Sequence, residues 1–125
     1  MLLRSPALAR RLLAEALGTA FLVAVVIGSG IAAERLSPGD AGLQLFENAA
    51  ATAAGLVALI LALGPVSGAH FNPLVSVADF LFGGLKSRDL AGYIGAQVAG
   101  GAVGAVVANL MPTSSPHRPA SPTLR

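Results

Sequence analysis

The sequence predicts an all-α membrane protein of three transmembrane helices and one re-entrant half-helix. Three observations carry that prediction. The 125 residues are 54% hydrophobic and 11% charged, with mean hydropathy +0.74, against roughly 25% charged residues in a soluble domain. The few charges cluster between apolar blocks. The polar run Ser67-Gly68-Ala69-His70-Phe71-Asn72-Pro73-Leu74 is framed by membrane-grade sequence, with a short apolar run at about residues 75–82 behind it. Non-helical backbone at membrane depth is tolerated only where it is buried in protein or lines a watery cavity. The run therefore reads as the turn of a re-entrant hairpin, with Asn72 at its mouth.

Each element follows from local signals. Residues 1–13 form a basic arm carrying Arg4, Arg10 and Arg11. The first span covers about residues 14–33, long enough at 1.5 Å per residue to cross ~30 Å of hydrocarbon. It resembles a secretory signal in its basic start and in the small residues from Gly28 to Ala33. A cleaved signal has an apolar core of only roughly 7–15 residues, and Glu15 lies inside this block, so the block is read as a retained span. Pro38-Gly39-Asp40 supplies the turn that follows. The second span runs over about residues 43–64, and Gly64-Pro65 is expected to stop it because proline cannot continue the hydrogen-bond ladder.

The half-helix covers about residues 72–83 and ends at Gly83-Gly84. A charged connector with Lys86, Arg88 and Asp89 leads to the third span, about residues 90–111. Residues 112–125 turn to Pro, Ser, Thr and His and read as a disordered tail. Lys and Arg concentrate in the arm and the connector, while the first loop is net negative with Glu34, Asp40 and Glu47. The positive-inside rule then places the N-terminus and the connector in the cytoplasm of a multi-pass protein of the plasma (inner) membrane.

Composition also excludes classes. No cysteine is present, which removes disulfides, thiolate metal sites and thiol catalysis. The net charge of +2 is too small and scattered for nucleic acid. No nucleophile–base pair suggests an enzyme, and no cofactor or metal site is expected; His117 has no partner. Gly28-x-Gly30-x-x-Ala33 imitates a dinucleotide fingerprint but ends a span without a strand–helix unit. Gly100 and Gly104 form a GxxxG pair suited to helix packing.

Asn72-Pro73 has the chemistry of a helix start. Asn is a favoured N-cap and Pro a favoured first helical residue. The half-helix would aim its positive dipole end at mid-membrane, and the Asn72 amide would offer two N–H donors. Such a site repels cations and favours neutral hydrogen-bonding solutes. The alternative is an ordinary loop cap.

These residues resemble the aquaporin and glycerol-facilitator (major intrinsic protein) family. Ser67-Gly-Ala-His-Phe-Asn-Pro-Leu-Val-Ser76 is similar to its first signature loop. Ala14-Glu15-Ala16-Leu17-Gly18-Thr19 resembles its first helix, and Tyr93-Ile94-Gly95-Ala96-Gln97 with Gly100 and Gly101 its third. The three matches occur in order over about residues 10–111. The resemblance implies one half of an inverted-repeat channel, here its N-terminal half only, with a lipid bilayer and small neutral solutes as partners and a homotetramer as the assembly. Its implied function is passive passage of water, glycerol-like polyols, urea or undissociated metalloid acids. The alternative is a non-conducting membrane fragment or a half-repeat structural subunit. The change of character after Met111 is expected to mark a truncated or frame-shifted end.

The resemblance also implies roles. His70, Asn72, Pro73 and Leu74 belong to the pore loop. Glu15, and similarly Gln97 and His70, support the loop; for Glu15 the alternative is snorkelling at a helix end. Leu74 stands where the family usually has Ala and narrows the mid-pore or displaces a neighbour. Ser76 stands for Thr. Thr52 falls at the narrow filter, where water-selective members and glycerol facilitators carry a bulky aromatic. It implies a wider filter, the alternative being a hydroxyl bonded to its own helix.

Overall fold

The computed structural model describes residues 6–111, which form four helices and no strand. They are α1 (Leu8–Leu36), α2 (Ala41–Ser67), α3 (Pro73–Leu81) and α4 (Ser87–Leu110). Three of them, α1, α2 and α4, are long and apolar enough to cross a membrane. α3, with 9 residues, rises only about 14 Å at 1.5 Å per residue and cannot. The architecture is the all-helical one expected of half an aquaporin repeat. The tail at residues 112–125 and the first five residues of the expected arm lie outside the described residues.

Burial runs opposite to that of a soluble protein. The buried set is mostly small or polar: Ala14, Ala24, Ala33 and Ala108 beside Glu15, Thr19, Ser67, Ser76, Asp89 and Gln97, with Phe71, Leu85 and Tyr93 as its large members. Large apolar side chains such as Phe21, Leu61, Leu81 and Phe82 face outward. Lipid solvates those side chains as well as a core would, so close packing and polar contacts hold the helices instead.

α1 is the centre of the assembly. It packs on α2 along one side and on α4 along the other, and α3 lies against α4. The α1–α4 seam is a backbone contact. A Cβ at Gly100 would run into the carbonyl oxygen of Ala16, and one at Gly104 into that of Ala20. Polar glue holds the α1–α2 seam. Asn48 Nδ2 donates to Val26 O at 2.8 Å and to Ser29 Oγ at 3.0 Å.

Several boundaries differ from the sequence reading. α1 starts at Leu8 rather than near residue 14, so Arg10 and Arg11 sit in its first turns and not in an arm. Arginine is a good helix former, and Arg11 is anchored on α4. α2 continues through Gly64-Pro65 to Ser67. Membrane spans tolerate proline where local adjustments re-satisfy the freed backbone groups, and beyond it Gly68 N donates to Gly64 O at 2.9 Å. Gly68, at φ 94°, ends the helix, a left-handed turn that glycine adopts without a Cβ clash. α4 begins at Ser87, three residues earlier than expected, immediately after Lys86.

Candidate functional site

The site is the chain reversal between α2 and α3. Ala69 and Phe71 both have positive φ, 53° and 49°, a region non-glycine residues rarely occupy unless their surroundings hold them there. Ala69 N donates to Ser67 Oγ at 3.1 Å, His70 N to Glu15 Oε1 at 3.1 Å, and Phe71 N to Glu15 Oε2 at 2.7 Å. Three successive N–H groups thus turn inward. No peptide bond here is cis, and a planar trans peptide points its C=O opposite its N–H. The carbonyls of Gly68, Ala69 and His70 therefore face the other way. None of them accepts a hydrogen bond from another described residue. Phe71 is buried against Gly18, where any Cβ would collide with its ring.

Glu15 is the anchor. Its side chain is fully buried and accepts four hydrogen bonds. Two are the loop amides; the others come from Ser67 Oγ at 2.6 Å and Gln97 Nε2 at 2.9 Å. An ionised carboxylate has about four acceptor sites, so this arrangement satisfies it and offsets a desolvation cost of several kcal/mol. The Gln97 amide also donates to Ser76 Oγ at 2.8 Å. Ser76 in turn lies 3.0 Å from His70 Nδ1. Because Gln97 occupies Ser76 as a donor, the serine proton is free for Nδ1. A neutral His70 then carries its own proton on Nε2, 3.5 Å from Asp79 Oδ2.

A second brace reaches the loop from the helix ends. Tyr93 OH donates to Ser67 O at 2.7 Å and accepts from Arg11 Nε at 2.9 Å. Arg11 Nη1 closes on Asp89 Oδ2 at 2.9 Å. The sequence reading quoted Ser67 and Tyr93 as motif residues without a role and did not single out Arg11 or Asp89 for the site. Arg11 and Tyr93 are 82 residues apart, and nothing in the spacing announces the pair.

Asn72 caps α3. Its Oδ1 accepts from Leu74 N at 2.8 Å, with Pro73 at the first helical position. The Nδ2 group makes no bond to another described residue and is exposed. Leu74, 75% exposed, stands beside it. The structure thus gathers Glu15, His70 and Gln97 into one cluster and sets Asn72, Pro73 and Leu74 at its mouth. Thr52 stands apart on α2. It shares a face with Asn48 and Gly55, both of which contact α1. Its hydroxyl is buried and makes no hydrogen bond among the described residues, its own helix included.

The sequence profile of the family described as Major intrinsic protein matches residues 2–122. Among individual relatives, the aquaglyceroporin AqpS of Rhizobium meliloti is 56% identical over 104 residues, 83% of this chain and 44% of that protein. The glycerol uptake facilitator protein of Pseudomonas aeruginosa is 43% identical over 96 residues, covering 77% of this chain and 33% of its own. Human aquaporin-9 is 43% identical over 99 residues, 78% of this chain and 32% of its own. The chain thus spans between about a third and somewhat under half of these three relatives.

Proposed function

The chain belongs to the major intrinsic protein family, and from that premise we propose that it forms one side of a passive transmembrane channel for water and small neutral solutes. The observation that carries the reading is the polarity of the loop. Glu15 gathers the N–H groups of His70 and Phe71, and Ser67 that of Ala69. Three carbonyls without a partner among the described residues are left on the opposite side, with the Asn72 amide at their end. A solute carrying hydroxyl or amide groups needs both acceptors and donors as it sheds water. The carbonyl row and Asn72 Nδ2 supply them in sequence. The N-terminus of α3 adds roughly half a positive charge at the donor end, which opposes cations.

In this reading Glu15, Gln97 and His70 hold the loop, and Asn72, Pro73 and Leu74 line the passage. Thr52, turned toward α1, puts no bulky side chain into the filter, which leaves room for glycerol-like polyols, urea or undissociated metalloid acids. Two relatives support the solute class by name, one an aquaglyceroporin and one a glycerol uptake facilitator. The N-terminus and the connector before α4 lie in the cytoplasm, the host is the plasma membrane, and the assembly is a homotetramer.

The test is a chimera in which this chain replaces its matching segment of the aquaglyceroporin AqpS, reconstituted in proteoliposomes. It is expected to swell in a glycerol gradient as well as an osmotic one. Water flux without glycerol flux would overturn the role of Thr52. Normal insertion with neither flux would return the chain to a non-conducting subunit.

A further inference from the structure

We propose that the cleft between the first turns of α1 and α4 binds the phosphate-bearing headgroup of an anionic phospholipid. The cleft has a volume of about 860 Å³, and Pro6, Ala7, Arg11, Lys86, Arg88 and Asp89 are among the residues that line it. That size falls within the roughly 300–1,000 Å³ of small-ligand sites.

The cleft carries a net positive charge among the described residues. Three cations, Arg11, Lys86 and Arg88, face one carboxylate. Both oxygens of Asp89 are engaged, Oδ2 by Arg11 Nη1 at 2.9 Å and Oδ1 by Arg88 Nε at 3.7 Å. Lys86 forms no ion pair among the described residues. Asp89 is only 5% exposed, while the Arg88 side chain is 77% exposed. The negative charge is therefore sunk in the wall and the positive charge stands in the opening. Neither N-cap residue, Ala7 of α1 or Lys86 of α4, caps its helix with a side chain.

Position selects the ligand. The cleft opens at one end of two membrane-spanning helices, where a bilayer presents phosphodiesters at far higher local concentration than a free anion reaches. Basic pockets between helices at that level suit anionic headgroups. Pro6, Ala7 and Leu8 supply an apolar wall for the glycerol and the start of the acyl chains. The inference rests on the membrane placement of α1 and α4 and not on conduction, so it stands or falls apart from the pore.

Native mass spectrometry of the 125-residue chain tests it, with dioleoyl phosphatidylglycerol or dioleoyl phosphatidylcholine added to the detergent. The wild-type chain is expected to retain the anionic lipid about tenfold better or more. The Lys86→Gln, Arg88→Gln double variant is expected to lose about 25-fold, about fivefold for each basic residue at an anionic surface. Lys86→Arg with Arg88→Lys keeps the charge and is expected to keep retention, which separates binding from folding. Arg10→Gln removes an exposed charge outside the cleft and is expected to change retention less than twofold. Equal retention of the two lipids, or a loss as large in Arg10→Gln, would overturn the site. Soluble glycerol phosphate binding as tightly as the lipid would overturn the lipid as its occupant.

Discussion

Glu15 carries its charge where a lone carboxylate is costly, and four donors drawn from three other segments make that position tenable. Ser67 ends α2, His70 and Phe71 belong to the loop, and Gln97 belongs to α4. Replacing Glu15 with Gln keeps the size but turns one acceptor oxygen into an N–H donor. The donors that shared that oxygen are then unpaired, at about 1–3 kcal/mol each. Glu15→Gln is expected to lower the unfolding midpoint in detergent correspondingly, and a shift worth less than about 0.5 kcal/mol would contradict the anchoring role. At this scale the sequence marks individual residues but not their partners. A carboxylate inside an apolar span is conspicuous, as is Asn-Pro between two apolar runs. The Tyr93 bond to Ser67 O and the Arg11 bond to Tyr93 join residues 26 and 82 positions apart. No periodicity encodes them, because they exist only once α1 and α4 have packed.

At the scale of elements, the α1–α4 seam depends on glycines that let two backbones touch. Alanine at Gly100 places a methyl group against the Ala16 carbonyl, a rigid backbone atom, and forces the helices apart. The expected loss is about 1–3 kcal/mol. Gly95 is on the same helix with nothing within 4 Å of a built Cβ. Gly95→Ala is expected to be neutral or to stabilise by up to about 1 kcal/mol through helix propensity. Parallel thermal unfolding of the two variants checks this, and similar behaviour would refute the seam. Hydropathy reveals that three spans exist because each must present an apolar surface to lipid. It does not locate their ends. Gly64-Pro65 reads as a stop, yet a membrane span tolerates the pair because local adjustments re-satisfy the freed backbone groups. Arg10 and Arg11 read as a solvated arm, yet α4 offers Asp89 and Tyr93 to hold the second of them.

Across the whole molecule, the proposed re-entrant loop and α3 enter and leave on one side, which would put the α1–α2 loop and the connector before α4 on opposite faces. The absence of cysteine allows a clean test with single cysteines. Arg35→Cys is expected to react with an impermeant maleimide on intact cells, and Lys86→Cys only after permeabilisation. Labelling of both from one side would contradict the re-entrant arrangement.

In the proposed channel the Asn72 amide meets the passing solute while its oxygen caps α3. Asn72→Asp separates the two duties. A carboxylate still accepts from Leu74 N and is favoured beside a helix N-terminus, but it lacks both N–H donors. The decisive measurement is glycerol flux per inserted channel in the AqpS chimera carrying Asn72→Asp, with surface amount determined separately. Insertion at the parent level with flux reduced at least about tenfold, the effect of roughly 1.4 kcal/mol on a rate, is the expected result. Parent-level insertion with parent-level flux would show that the Asn72 amide does not meet the solute and would remove this loop from the pathway.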